Sequence, residues 1–324
     1  LLLGILLIVP PAGEEADTES GEQAGEVRVA REGADRTESP EQSRPTEERE
    51  PETGDTAAEA ERRAEEEQDE QDRQPAAQRI PAVEAGREAR LAIVIDDVGY
   101  NMEQLRPFLD LTHPITIAVL PRLPYSERAA QASTASGKEV ILHQPMEPRT
   151  EDDPGPGVIR AGLDRSDLIA QVERNLSSVP GAVGVNNHMG SRATADPQVM
   201  GTLLQYLDER GLLFLDSRTT TETVSARLAS LQGYPVLERD VFLDNEATVQ
   251  YMEEALLRGL EEARREGEAV LIGHVSSGKL PSVLTRLIPA AQEKGYRVVS
   301  LASLLESADA RVTQSDTEET DRSQ

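Results

Sequence analysis

The sequence predicts an α/β protein, a distorted (β/α) barrel of seven to eight strands, preceded by a disordered N-terminal acidic linker. Three observations carry this expectation. Between Leu91 and about Leu305, short β-branched and apolar runs alternate with segments whose apolar residues recur at helical spacing. That span holds eight strand candidates, more than a small open sheet would use. The first quarter of the chain, by contrast, is rich in Glu, Arg, Ala, Gln and Pro and nearly free of aliphatic clusters.

The strand candidates are Leu91–Ile95, Ile115–Leu120, Glu139–Leu142, Ala182–Val185, Leu212–Leu215, Pro235–Leu243, Ala269–Ile272 and Tyr296–Leu301. The intervening helices carry readable punctuation. Asp196-Pro197 offers an N-cap followed by proline in the first turn, Leu203, Leu204 and Leu207 form an apolar stripe, and Gly211 closes it. A second helix, from around Met252 to Arg265, ends at Gly267, and a third, after Leu280, ends at Gly295. A doubly wound open sheet is the alternative architecture. Where such a fold would place a Gly-rich nucleotide fingerprint, after the first strand, this chain has "DDVGYN", which speaks against dinucleotide binding.

The charge is strongly acidic, a net −27 over 324 residues. Residues 13–88 cannot bury enough apolar surface to offset their conformational entropy, which predicts a disordered linker. Residues 309–324 read as a second, shorter tail, leaving 89–308 as the folded domain. The opening run "LLLGILLIVPPAG" is too short to span a bilayer core of roughly 30 Å. Residues 1–12 therefore read as the remnant of a signal peptide or membrane anchor. This predicts a periplasmic or cell-envelope location, exported or tethered to the membrane through the N-terminus, with the linker giving the domain reach. The absence of cysteine excludes disulfides, Cys-ligated zinc and thiol nucleophiles. With no basic patch, nucleic-acid binding is excluded as well.

In a parallel α/β architecture the C-terminal ends of the strands converge on one face, and that face carries the chemistry. The first strand ends in Asp96-Asp97, the third in His143, the fourth in Asn186-Asn187-His188, the fifth in Asp216-Ser217-Arg218 and the seventh in His274. The sixth carries Arg239-Asp240 and ends at Asp244-Asn245. Of the four histidines in the chain, His113 alone precedes a strand and falls on the opposite face. Two histidines and an aspartate on one rim supply the ligand set of an open catalytic site for one divalent metal ion, with zinc the first choice. One carboxylate of the Asp96-Asp97 pair would then bind the metal while its neighbour serves as base toward an attacking water. Hydrolysis also needs an acid for the leaving group, and His274, across the rim, is the candidate. Glu147, four residues after His143, is a further candidate ligand if the chain turns helically there, though Pro145 opposes a regular helix.

The ordered motifs "IDDVGY", "AVLP", "LHQPMEP", "GVNNHMGS", "FLDSRT", "RDVFLDN" and "IGH" resemble the divergent polysaccharide deacetylase family, the bacterial YibQ-like proteins of the NodB-type carbohydrate esterase superfamily. The resemblance covers essentially all of residues 91–305. It implies a distorted (β/α) barrel and metal-dependent removal of N- or O-acetyl groups from a glycan. Carried over residue by residue, it implies Asp96 as base, Asp97 and His143 as metal ligands and His274 as acid. Where ordinary deacetylases have a second histidine four residues after the first, this chain has Glu147, which leaves His188 as the preferred third ligand. Asp216 or Arg218 would orient the base or the acid from the fifth strand.

The expected function is thus that of a metal-dependent hydrolase acting on amide or ester bonds of an acetylated envelope polysaccharide. Aromatic residues able to stack on sugars are scarce, and Tyr100 and Tyr125, in loops after strands, are the candidates. The competing class is a non-catalytic envelope barrel that binds a partner in cell-wall remodelling, whose signature would be a damaged catalytic set. A two-metal phosphoesterase would want more histidine and aspartate ligands than the rim supplies.

Overall fold

The computed structural model describes residues 74–305. In chain order these form α1 (Ala76–Arg79), β1 (Arg90–Val98), α2 (Met102–Leu109), β2 (Thr116–Val119), α3 (Ser126–Ala135), β3 (Glu139–Met146), α4 (Arg165–Leu176), β4 (Gly184–Met189), α5 (Pro197–Glu209), β5 (Leu213–Asp216), α6 (Ser225–Gln232), β6 (Val236–Glu238), β7 (Val241–Phe242), α7 (Val249–Glu266), β8 (Glu268–His274), α8 (Leu280–Glu293) and β9 (Arg297–Val299). The strands pair in parallel in the order β6-β5-β4-β3-β2-β1-β8-β7, and β9 joins the start of β1. The predicted α/β barrel is thereby present, with its helices outside.

Closure depends on a segment that the sequence presents as one strand, Pro235–Leu243. It is two. β6 pairs with β5 while β7 pairs with β8, the opposite edge of the sheet. The switch falls between adjacent residues: Arg239 N–H still donates to Asp216 O of β5, whereas Asp240 N–H donates to Val270 O of β8. A single extended segment therefore ties the two edges together with no helix between them. The break falls in the charged run Glu238-Arg239-Asp240 between two apolar pairs, a pattern that reads equally well as one interrupted strand, so the sequence alone does not reveal the change of partner.

Strand alternation divides the core in two. Leu91, Ile93 and Ile95 of β1, Val140 and Leu142 of β3, Phe214 of β5 and Leu271 of β8 face the helices in the larger cluster. Ala92 and Val94, Ile141, Leu213 and Leu215, and Val270 and Ile272 face the barrel interior in the smaller one. Leu301 and Leu304 complete that inner cluster from the chain segment after β9.

The expected helix signals are in place. The Asp196 carboxylate accepts from the Gln198 and Val199 N–H groups, Pro197 opens α5, and Gly267 closes α7 with φ 92°. The domain begins earlier than expected, however. Within the span assigned to the linker, Ala76 and Ile80 are buried in the main core, Arg79 pairs with Glu254, and Val83 N–H donates to Lys294 O. This stretch holds only two large aliphatic residues, Ile80 and Val83, too few to show a period that would read as core from sequence. The segment expected to be an anchor remnant (1–12), most of the expected linker and the expected tail at 309–324 lie outside the described residues.

Candidate metal centre

The alternation that builds the inner core also aims the site. Continuing the inward positions Ala92 and Val94 along β1 gives Asp96, continuing Ile141 along β3 gives His143, and continuing Val270 and Ile272 along β8 gives His274. On β4, Asn186 and His188 share one face, two residues apart, and register sets Asn186 beside His143. The interior therefore changes from aliphatic below to polar at the C-terminal ends of the strands.

Asp97 should point outward by the same rule, since consecutive strand residues face opposite ways. It does not, because its backbone is left-handed, with φ 64°, and the β1–β2 register slips between Ile95 and Val98. Aspartate tolerates this conformation better than most residues. The bulge brings both carboxylates to one point: His143 Nε2 lies 3.6 Å from Asp96 Oδ2 and 3.2 Å from Asp97 Oδ1. Met189, directly after His188, is also left-handed, at φ 55°. Gly190 follows at φ 94°, where a Cβ would stand 2.9 Å from the Met146 Cβ, so glycine is needed there for both reasons.

Asp97, His143 and His188 each offer one ligand atom, all within 4.8 Å of one another. His188 Nδ1 is 2.9 Å from Asp97 Oδ1 and 3.1 Å from His143 Nε2. Despite that proximity, Asp97 Oδ1 is buried without an aligned hydrogen-bond donor. Three electron-rich atoms converging on one point, one of them an orphaned carboxylate oxygen, fit a divalent cation. The electrostatics agree. Burial alone would raise the Asp97 carboxyl, but the adjacent His143 and His188 outweigh it and hold it well below the usual carboxylate range. His143, against the downward pull of burial, is raised by Asp96 and Asp97. The point between these groups attracts positive charge, and a metal and a proton would compete for it.

Asp96 is almost wholly buried. Burial pushes its carboxyl up, opposed mainly by the charge of His143. His274 does not stand on the far side of the rim as expected but on the neighbouring strand β8, in register with Asp96. Asp244 holds it, accepting from its Nδ1 and from its backbone N–H, both at 2.9 Å. Burial would lower the His274 imidazole, but Asp244 and then Asp96 and Asp97 outweigh it and push it up to about 9. The Phe242 ring stacks on His274 at 5.7 Å between centroids, and the Arg239 guanidinium sits 3.9 Å from the Phe242 centroid.

The expected orienting roles of Asp216 and Arg218 are not what the geometry shows. Asp216 shares the outward parity of Phe214, and its carboxylate accepts from the Arg218 N–H and the Thr223 hydroxyl. Arg218, left-handed at φ 48°, turns its guanidinium to Glu238. Instead Asn186 contacts Asp96 and Asp244 contacts His274. Both had been placed at strand ends by the sequence without a role. Asp244 shares the parity of Phe242 across Leu243, and that parity was the available signal. Glu147 is directed away from the three ligand atoms: it accepts from the Ala161 N–H and faces Arg192.

Comparison with known proteins gives a consistent family. The sequence profile described as divergent polysaccharide deacetylase matches residues 93–305. An uncharacterized protein of Haemophilus influenzae is 35% identical over 187 residues, which is 58% of this chain and 67% of that protein. The uncharacterized protein YibQ of Escherichia coli K12 is 35% identical over 185 residues, 57% of this chain and 58% of that protein, so the match leaves a large part of that relative uncovered. Among solved structures, an uncharacterized protein of Agrobacterium tumefaciens C58 superposes with a TM-score of 0.64 at 24% identity, covering 71% of this chain and 94% of that one; at this identity the likeness speaks for the fold alone.

Proposed function

We propose, from the premise that this chain belongs to the divergent polysaccharide deacetylase family, that it is a metal-dependent hydrolase removing acetyl groups from an N- or O-acetylated envelope polysaccharide. The observation that carries the reading is the convergence of Asp97, His143 and His188 on one point, with buried Asp96 beside it and the Asp244-held His274 on the neighbouring strand in register with Asp96. A divalent ion held there, zinc in our reading, would polarise the acetyl carbonyl and lower the pKa of water from about 15.7 toward roughly 7.

The chain's own groups divide the proton work. Asp96 takes a proton from the attacking water, and its buried setting makes it a stronger base than an exposed carboxylate. His274, raised to about 9, holds a proton at neutral pH and gives it from Nε2 to the departing amine or alkoxide, because Nδ1 is engaged by Asp244. Tyr100 and Tyr125, 57% and 39% exposed, are the large aromatics available to lie against sugar rings. A location at the cell envelope, on a tether, belongs to the same proposal.

A non-catalytic barrel that binds a remodelling partner would be expected to have lost part of this set, and Asp96, Asp97, His143, His188 and His274 are all in place. The test is acetate release by the zinc-supplemented full chain from N-acetylglucosamine oligomers and O-acetylated polysaccharides, with His188→Ala as control. Release by the parent alone supports the reading. No release from any acetylated glycan sinks it and favours the partner-binding barrel.

A further inference from the structure

We propose that Asn186 is a positioning residue serving both halves of the centre at once, its amide nitrogen holding the base Asp96 and its amide oxygen fixing His143 with Nε2 toward the metal. This rests on the reaction proposed above. The assignment follows from what each atom can do. An ionised carboxylate only accepts hydrogen bonds, so the Asn186 atom 2.9 Å from Asp96 Oδ1 is the donor Nδ2. The other end of the amide is then Oδ1, which only accepts, so His143 Nδ1, 2.8 Å away, must carry a hydrogen and donate it. That leaves Nε2 as the ligand atom of His143, the atom that lies 3.2 Å from Asp97 Oδ1. The second Nδ2 hydrogen is directed at Ser217 Oγ at 3.2 Å, and Asn186 is fully buried.

An acceptor on the far nitrogen of a ligating histidine commonly fixes its tautomer and ring orientation. Here that acceptor is an amide whose other arm is on the base. No other common side chain of this size does both: Asp could accept from His143 but could not donate to Asp96, and Leu could do neither. The strand register His143↔Asn186 makes the arrangement possible, because it sets the two side chains side by side on the interior face.

The chemistry lets the two bonds be separated. In Asn186→Asp the acceptor for His143 is kept and the donor to Asp96 is replaced by a repelling carboxylate. In Asn186→Leu both are lost. Zinc affinity, measured by competition with a chromogenic chelator, should stay within about threefold of the parent in Asn186→Asp and fall about 10- to 100-fold in Asn186→Leu. With only four histidines in the chain, ¹⁵N-histidine labelling of the zinc-loaded protein can follow the His143 Nδ1–H resonance directly. It should persist in the parent and in Asn186→Asp and be lost or exchange rapidly in Asn186→Leu. Acetate release should fall at least about 100-fold in both variants, so Asn186→Asp alone separates turnover from metal binding.

If Asn186→Leu does not fold, Asn186→Ala removes the same two bonds and is read in its place. Parental zinc affinity and a persistent Nδ1–H resonance in the Leu or Ala variant overturn the His143 arm. Full turnover in Asn186→Asp overturns the Asp96 arm. A parent that shows the expected zinc and resonance behaviour but deacetylates nothing leaves the His143 arm supported and sinks the deacetylase reading instead.

Discussion

Asp244 grips His274 at two points, taking the imidazole Nδ1 hydrogen on Oδ1 and the backbone N–H on Oδ2, each at 2.9 Å. The pair is formed where β7 runs into the loop beside β8, so the crossing that closes the barrel also delivers the carboxylate that charges the acid. Its side chain is only 3% exposed, so solvent does little to screen the interaction.

Replacing Asp244 with Asn should therefore lower the His274 pKa from about 9 toward the ordinary 6.5. The alkaline limb of any pH–rate profile should move down with it, while zinc content stays unchanged. An NMR titration of the His274 ring gives the same reading without a substrate. The stability linkage has a definite sign. Because the folded state raises this pKa, the contribution is complete below about 6.5 and is lost as pH rises through about 9. A His274 titration unchanged in Asp244→Asn would show that Asp244 is not what holds the proton.

Asp97→Ala and His188→Ala should each bind metal far more weakly while keeping the fold. Both side chains sit at the open end of the barrel, 30% and 20% exposed, and neither belongs to the apolar core. Elemental analysis after dialysis should find about one zinc per chain in the parent and essentially none in either variant. Metal retained in both variants would remove the three-residue centre from consideration. Far-UV circular dichroism and the unfolding midpoint would show whether the fold had been kept.

Asp96→Asn should separate binding from turnover in the other direction. Asp96 is held by Asn186 and is not one of the three convergent ligand residues, so metal content should survive. Acetate release should fall by about 10²- to 10⁴-fold, the usual worth of a positioned base. Retained turnover would exclude Asp96 as that base.

Much of this was legible in the sequence, and what was missed shares one physical cause. The barrel, the helix caps at Asp196 and Gly267 and the polar strand ends follow from local periodicity and local chemistry. The partner of a side chain does not. Asp216 was a plausible orienting residue only so long as its parity with Phe214 was ignored, for that parity sends it outward and puts Ser217 inward, next to Asn186. Asp97 breaks the same rule in the opposite sense through its φ of 64°, which no pattern of apolar residues announces. Asn186 takes its role from pairing with His143 across 43 residues of sequence, and Asp244 from a strand that changes edges within two residues.

Two glycine substitutions should show how closely the outer layer is packed against the barrel. Gly201 of α5 and Gly259 of α7 are both helical, and in isolation replacing either with Ala should favour the helix by about 1 kcal/mol. Their surroundings differ. A Cβ on Gly201 would meet nothing nearer than Gln232 Nε2 at 3.9 Å, whereas one on Gly259 would stand 2.6 Å from Leu271 Cδ2 and 2.8 Å from its Cγ. Leu271 is fully buried on β8 and cannot swing aside, so the overpacking cost of about 1–3 kcal/mol outweighs the propensity gain. Urea unfolding should accordingly place Gly201→Ala above the parent by about 0.5–1 kcal/mol and Gly259→Ala below it by up to about 2 kcal/mol. A stabilised Gly259→Ala would mean that α7 can lift off β8 at little cost, and that the strand carrying His274 is less firmly backed than its packing indicates.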